Sequence, residues 1–417
     1  MKILMLGFEF PPFFAGGVGI ACYEISKSLA KRNDVEIEYI MPYGPDEKQI
    51  HHNFKILSAN SKKLKNLTVT PVPTMIAAYD SEESYMKRFL KFLSSKNLFS
   101  NTDNIKKIYG ENLIEEIYMY AQRVAALCKD KDFDVIHAHD WTTIPAALLL
   151  KELTGKPVIL HVHITELDKT GGQGGHHKVF EIEKEGFNKA DILIAVSNFT
   201  KNRLVYNYGV DPNKIRIIHN GGISDLSKNL NPEERLKKED KIVLYAGRVT
   251  LQKGVEYFVR AAKKVLEVMP ETKFLIAGGG DKLPEMIELV AELGIGKNVL
   301  FTGGAYTREE AKYYFSIADI FVMPSVSEPF GIVPLEAVAN GTPTIISKQS
   351  GISEVLAHTF KVDFWDTEEM AHKICSLLTY PALHSHMRES AFNEFHKFSW
   401  DKPANEFVKL YHEIAQK

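Results

Sequence analysis

The sequence predicts an α/β protein built from two doubly wound, Rossmann-like domains that face each other across a cleft. Apolar strand-like runs alternate with helical segments in the first half of the chain, and the pattern restarts near residue 242. Wholly apolar strands in such an alternation are typical of a parallel sheet covered on both faces by helices. A length of 417 residues also exceeds the usual size of a single core. We therefore predict an N-terminal domain over 1–222 and a C-terminal domain over 223–398, with a last helix over 399–417 that packs back on the first domain.

Composition narrows the class of protein. Apolar residues make up 45% and charged residues 25% of the chain, as in ordinary globular proteins, and the net charge of -2 gives no electrostatic reason to expect a nucleic-acid partner. Three widely spaced cysteines favour a reducing compartment. The first apolar run is too short for a signal peptide, and no run approaches the length of a membrane span. We expect a cytoplasmic protein, and leave open its oligomeric state and peripheral contact with a membrane.

The N-terminal half contains one regular part and one irregular part. The segment over 43–110 is predicted to be an insertion, with strands near Phe54 and Leu67 and a basic helix over 85–93. Outside it, the strands are predicted over 2–7, 35–41, 135–138, 158–160, 192–195 and 215–218, and the helices over 20–32, 112–129, 144–153 and 179–188, with a further helix that begins after Ser197 as its N-cap.

A polar segment over 224–240 is predicted to link the two domains. After it, strands are predicted over 242–246, 274–277, 299–301, 320–323 and 343–347, and helices over 255–268, from 283, over 309–315, around Glu336, after Trp365 and after Trp400. We expect the two closing helices, after Trp365 and after Trp400, to cross back to the first domain. Two such domains would place a ligand cleft at the carboxyl ends of both sheets.

One loop between a predicted strand and a predicted helix carries two acidic residues. Glu328 lies in the loop, and Glu336 lies in the opening turns of the helix that follows. The amides of Phe330 and Gly331 would point outward at the positive end of the helix dipole. This arrangement suits a polyhydroxylated, anionic ligand. The alternative is a helix start with acidic groups that only stabilise the helix.

Cationic residues lie near the start of one further predicted helix, and glycines lie near the start of another. Arg248 and Lys253 follow the first strand of the second domain, where they could bind a diphosphate, although either one alone is more simply a surface cation. Gly16 and Gly17 precede the first helix, so their amides could meet the same diphosphate from the other domain. The glycines do not form the G-x-G-x-x-G fingerprint of dinucleotide-binding proteins, and the chain has no phosphate-binding P-loop.

Two His-x-His sequences end neighbouring strands, His137 with His139 and His161 with His163. One interpretation is a metal site, which would want a further histidine and an aspartate on later strands. The other is that these histidines line the cleft and bind sugar or phosphate. The candidates for contacts with an acceptor near these strand ends are Glu9, His139, Asp140 and Asn220.

On these residues the chain resembles the retaining glycosyltransferases of the GT-B fold, in the group called glycosyl transferases group 1. Among them it is most similar to the glycogen and starch synthases. The motifs that carry the resemblance are Gly16-Gly17-Val18-Gly19, Gly247-Arg248 with Lys253-Gly254, and Glu328 with Glu336. Weaker similar pieces are His137-Ala138-His139-Asp140-Trp141, Ser197-Asn198-Phe199-Thr200 and His219-Asn220-Gly221.

The resemblance implies a diphosphate site made by Arg248 and Lys253, with Gly17 approaching from the first domain. It also implies that the reaction needs neither metal nor cofactor. Synthases of this family that use ADP-glucose commonly carry Lys-x-Gly-Gly at the glycine loop, and Ala15 occupies the lysine position here. The sequence therefore leaves the base of the donor open among UDP, ADP and GDP, with a UDP- or ADP-sugar as our expectation.

The resemblance assigns the remaining roles around the donor sugar. Glu328 and the amides of Phe330 and Gly331 would hold the sugar, Glu336 the ribose, and His163 falls where the family has its active-site histidine. The expected activity is transfer of a hexosyl unit, with a glucosyl unit and an α-glucan synthase-like reaction as the first expectation. The alternatives are transfer to a glycolipid or cell-surface polysaccharide precursor, epimerisation of a nucleotide sugar, and sugar binding without catalysis.

Overall fold

The computed structural model describes residues 1–10, 16–43, 66–74, 81–95, 112–172, 174–222, 240–304 and 306–416. Its strands form a seven-stranded sheet and a six-stranded sheet, and the recorded strand pairs are parallel. The predicted strand near Phe54, the glycine-loop position Ala15 and nearly all of the predicted linker over 224–240 lie outside the described residues.

The N-terminal sheet has the strand order β3-β2-β1-β4-β5-β6-β7. Its strands are β1 Lys2–Leu6, β2 Glu36–Tyr43, β3 Leu67–Pro73, β4 Val135–His139, β5 Val158–Val162, β6 Ile192–Ala195 and β7 Ile215–Ile217. The order reverses between β1 and β4, so the loops that follow these two strands leave the sheet side by side. Ligands bind at such switch points in open α/β sheets.

The C-terminal sheet has the order β10-β9-β8-β11-β12-β13. Its strands are β8 Ile242–Ala246, β9 Lys273–Ala277, β10 Val299–Phe301, β11 Ile320–Met323, β12 Thr344–Ser347 and β13 Phe360–Val362. Here the order reverses between β8 and β11. The loops after these strands contain the predicted cations and Glu328, so topology alone brings the two motifs together.

Helices connect the strands of both sheets. In chain order they are α1 Gly17–Ala30, α2 Glu82–Ser95, α3 Leu113–Cys128, α4 Ile144–Thr154, α5 Glu166–Lys169, α6 His177–Lys189, α7 Asn198–Tyr208, α8 Val255–Val268, α9 Leu283–Glu292, α10 Arg308–Ile317, α11 Val333–Ala339, α12 Thr367–Thr379, α13 Pro381–Phe395 and α14 Asp401–Ala415. In the part of the chain that the structure describes, none of them is long and apolar enough to cross a membrane.

Several predictions about the elements need correction. The segment predicted as an insertion contributes β3, which pairs with β2, and α2, whose Tyr85 and Phe89 are buried in the same core as α3. Helix α1 begins at Gly17, three residues earlier than predicted, so the glycines form its first turn. The sequence analysis also missed the short helix α5 and the strand β13.

The two closing helices behave differently. Helix α12 packs against α8 of the C-terminal half, so the prediction that it crosses back is wrong. Helix α14 packs against α1 and β4 of the N-terminal half, and it buries Phe407 and Tyr411 there. The apolar face of α14, the last helix of the chain, therefore completes the hydrophobic core of the N-terminal half.

Candidate functional site

The two loops at the switch point of the C-terminal sheet are joined by an ion pair. Lys253 Nζ lies 2.6 Å from Glu328 Oε2, and the Ser325 hydroxyl donates to the same oxygen at 3.0 Å. The side chains of both charged residues are mostly buried, with 20% and 10% of their area exposed. Removal of either partner would leave a charge with little access to water, which is costly.

Backbone geometry fixes the position of Lys253. The next residue, Gly254, has φ 63°, and a Cβ there would lie 2.1 Å from the carbonyl oxygen of Pro324. Gln252 accepts from the Val326 amide through its backbone oxygen and donates to the Ser327 carbonyl through its side chain. The loop after β8 is thus held closely against the loop after β11, in a form that only glycine permits at position 254.

The start of α11 faces the start of α1 from the opposite half of the protein. A Cβ on Gly17 would lie 4.0 Å from Cδ1 of Ile332, the residue before α11. Gly331 has φ 98°, which favours glycine, and Glu336 lies in the first turn of α11. The predicted glycine turn and the predicted acidic helix start therefore meet across the cleft. Phe330, in contrast, is buried, so its ring belongs to the packing beneath the loop.

Arg248 lines a cavity of about 270 Å³ between the two halves. Trp141 and Lys169 line the same cavity from the N-terminal half, and the Lys169 ammonium lies 5.7 Å from the centre of the Trp141 ring. Glu82, Glu166 and Asp281 line the cavity too, and Glu166 pairs with Lys169. The aromatic wall and Arg248 are therefore the features that suit a sugar attached to a phosphate.

Glu9 and Asp140 support the loops at the switch point of the N-terminal sheet. Glu9 is buried, and its Oε2 accepts from the Gly16 amide at 3.3 Å. Asp140 Oδ1 accepts from the amides of His163 and Ile164, at 2.7 and 3.2 Å. Burial raises the pKa of the Asp140 carboxyl to about 7, although these two amides oppose the shift.

Asp140 is also strained. Within the described ranges it is the one non-glycine residue with a positive φ, 58°, and its ψ of 177° belongs to a region populated almost only by glycine. Such strain costs of the order of 1–3 kcal/mol and is concentrated at functional sites. The strained backbone and the two amide contacts together position the loop that carries His163.

The four histidines lie together, but they do not all face the cleft. His139 Nδ1 and His163 Nε2 are 2.9 Å apart, and 7% of His163 is exposed. His137 and His161 are fully buried and contact the Phe407 ring of α14. The prediction that all four line the cleft is therefore wrong for His137 and His161. Asn220 is buried as well, after β7.

The structure adds contacts between the two halves that the sequence did not indicate. The Ser327 hydroxyl donates to Asp168 Oδ1 at 2.6 Å, and the Ser197 hydroxyl donates to the Pro329 carbonyl at 2.6 Å. The Glu354 carboxylate accepts from the first amides of α7. Asp168 could have been noticed, since Thr165-x-x-Asp168 is a capping box. The residues that these side chains contact in the other half could not be identified from the sequence, because only folding brings them together.

Two family models match the chain. The model described as glycosyl transferases group 1 matches residues 227–394, and the model described as glycosyltransferase family 4 matches residues 104–222. The first match contains the Lys253–Glu328 pair, and the second contains the four histidines.

Full-length comparisons agree with these matches. An uncharacterized glycosyltransferase of Methanocaldococcus jannaschii is 28% identical and covers 99% of this chain and 98% of the relative. The glycogen synthase of Mycobacterium tuberculosis is 26% identical over 85% of this chain and 80% of the relative. The structure of Anabaena HepE in complex with UDP-glucose is similar with a TM-score of 0.70, at 15% identity, over 98% of this chain and 99% of that one.

Proposed function

We propose that this chain moves a hexosyl unit from a UDP- or ADP-hexose to an acceptor hydroxyl. The proposal starts from its family and fold, since the chain belongs to the glycosyl transferases group 1 and has the GT-B fold. The anomeric configuration is retained in this proposal. The observation that carries it is the meeting of Lys253 and Glu328 at a sheet switch point, beside the cavity that Arg248 lines. The three cysteines are unpaired, which fits a reaction in the cytoplasm.

The site would act mainly by electrostatics. As the bond to the sugar breaks, negative charge grows on the departing diphosphate, and Arg248 and Lys253 offset it in a site partly closed to water. An ammonium group has three N–H donors, so Lys253 can keep its bond to Glu328 and still donate to a phosphate oxygen. Glu328 would hold the donor sugar, and Glu336 the ribose. The acceptor would bind on the side of Trp141, which lines the same cavity.

A panel of donors tests this proposal. UDP-, ADP- and GDP-hexoses are added to the full chain, and the melting temperature is measured, since a ligand that binds the folded state raises it. The stabilising donor is then incubated with an α-glucan or with a lipid-linked saccharide. We expect acceptor-dependent release of the nucleoside diphosphate. Epimerisation of the donor without acceptor, or binding without any turnover, would contradict the proposal.

We predict that transfer needs no divalent metal. Arg248 and Lys253 supply the positive charge that a metal would otherwise provide, and the Asp-x-Asp sequences over 130–134 precede β4, at the sheet end opposite to His139. Asp132 is exposed there and pairs with Lys2. The rate of transfer should stay unchanged after dialysis against EDTA. A rate that disappears with EDTA and returns with Mg²⁺ or Mn²⁺ would contradict this prediction.

A further inference from the structure

Four imidazole rings are stacked inside the N-terminal half, beneath α14. The His137 and His139 rings are 4.5 Å apart between centres, and the His161 and His163 rings are 4.0 Å apart. The register pairs His139 of β4 with His161 of β5, so both His-x-His sequences project from neighbouring strands toward the same helix. Three of the rings are at most 1% exposed, namely His137, His139 and His161.

Several ring nitrogens of these three histidines lack a hydrogen-bond partner among the described residues. They are His137 Nε2, His139 Nε2 and both nitrogens of His161. A buried polar atom without a partner is destabilising, so a group of them demands an explanation.

We propose that His137, His139 and His161 bind one first-row transition-metal ion, with zinc as the ion to test. One ring nitrogen from each residue lies within 4.8 Å of the others. Nitrogens on a tetrahedral zinc lie roughly 3.3 Å apart. The ion also lies in the plane of each ligand ring, so binding requires the stacked rings to rotate toward one another as their nitrogens approach. Three imidazoles leave a fourth coordination position, for which the described residues around this set show no further ligand.

The other two ring nitrogens of these three histidines, Nδ1 of His137 and Nδ1 of His139, already have hydrogen-bond partners. His137 Nδ1 lies 2.6 Å from the Tyr411 hydroxyl of α14, and His139 Nδ1 lies 2.9 Å from His163 Nε2. A ligand histidine commonly donates its second N–H to an outer partner, which fixes the orientation of its ring. The free Nε2 of both residues is then the ligand atom.

A second possible ligand set shares His139 but is less suitable. It consists of Cys22, His139 and His163. His163 Nε2 is already engaged with His139, and burial raises the pKa of the Cys22 thiol, which disfavours the thiolate that a metal needs. The three-histidine set offers neutral ligands with unengaged atoms, so we assign the ion to it.

The metal would be structural. It would tie β4 and β5 together and, through the Tyr411 contact with His137, hold the C-terminal helix α14 on the N-terminal half. Transfer would still need no metal in the reaction, because the ion would lie beneath the cleft. The sequence suggested a metal-free protein because it showed no third ligand on a later strand, whereas here the two His-x-His sequences supply the whole set.

Zinc content and stability of the full chain test this proposal. Protein stripped with dipicolinate is reloaded with zinc chloride, freed of excess ion by gel filtration, and analysed by mass spectrometry of the metal and by thermal melting. We expect one tightly bound zinc per chain and a higher melting temperature.

His161→Phe should lower the affinity for zinc by about a hundredfold or more. The matched control is the double variant His176→Gln and His177→Gln, which removes an exposed histidine pair that could bind zinc adventitiously and should keep the buried ion.

Three results would overturn the proposal. The first is no tight zinc in the stripped and reloaded wild-type chain. The second is zinc that is lost from the His176/His177 control but kept in His161→Phe. The third is zinc lost in Cys22→Ser and kept in His161→Phe, which would assign the ion to the other set. If His161→Phe does not fold, the visible spectrum of the cobalt-loaded wild-type chain tests the site instead. We expect the spectrum of a four-coordinate, nitrogen-bound ion. The spectrum of a six-coordinate ion would contradict the proposed site.

Discussion

Replacing Arg248 by alanine should lower kcat/KM for the donor about a hundredfold, or roughly 2.7 kcal/mol of transition-state stabilisation. The guanidinium lies at the interdomain cavity, where charge would grow on the departing diphosphate. Its planar fork can contact two phosphate oxygens at once, and such contacts strengthen as the charge develops. Steady-state kinetics with saturating acceptor measure the loss.

The matched control is Arg260→Ala. Arg260 lies on α8 of the same half, half-exposed and paired with Glu256, so its loss should leave kcat/KM unchanged. Nearly normal turnover in Arg248→Ala, with the control equally active, would contradict the assigned diphosphate site.

Lys253→Ala should cause a similar kinetic loss and, unlike Arg248→Ala, a lower melting temperature. The reason is the ion pair, because the change leaves the largely buried Glu328 carboxylate with one recorded side-chain donor, the Ser325 hydroxyl. An unpaired buried acceptor costs about 1–3 kcal/mol. The two variants thus separate loss of phosphate binding from loss of stability.

Much of the fold follows from local patterns in the sequence. Buried parallel strands need apolar residues on both faces, so runs such as Ile320–Met323 were identified correctly. The predicted strand near Leu67 is also present as β3, although it carries Thr68 and Thr70 and contains Pro71 and Pro73. Proline is tolerated there because β3 is the edge of its sheet, and edge position is a property of the topology.

The candidate site was predictable only where neighbouring strands bring motifs together. The order of β8 and β11 explains why Lys253 and Glu328 meet, and the residue types indicated what they could bind. The contact between His137 and Tyr411 joins residues 274 positions apart, and no periodicity in either segment indicates it. For that reason the sequence analysis could not show that α14 covers His137.

His163→Ala should lower kcat about 100- to 1,000-fold, a loss typical of a positioned hydrogen-bond donor at the reacting centre. His163 Nε2 is engaged with His139, whereas its Nδ1 has no partner among the described residues and is buried. If His139 donates from Nδ1 to His163 Nε2, His163 carries its own proton on Nδ1. That N–H would be available to a hydroxyl or oxygen of the bound donor. His163→Asn, which keeps an N–H donor, should recover part of the rate.

The loss in His163→Ala should be the same at every pH from about 6 to 8. Burial lowers the pKa of His163 to about 3, so the ring stays neutral in the folded enzyme across this range. Protonation instead favours the unfolded chain, where a histidine has its ordinary pKa near 6.5, so acid lowers stability as the pH falls below that value. Burial raises the pKa of Asp140 to about 7, so we expect any inflection of kcat near that pH to persist in His163→Ala and to vanish in Asp140→Asn. A loss that shrinks on the acid side would show that His163 titrates as a base during transfer, which contradicts the role of neutral donor.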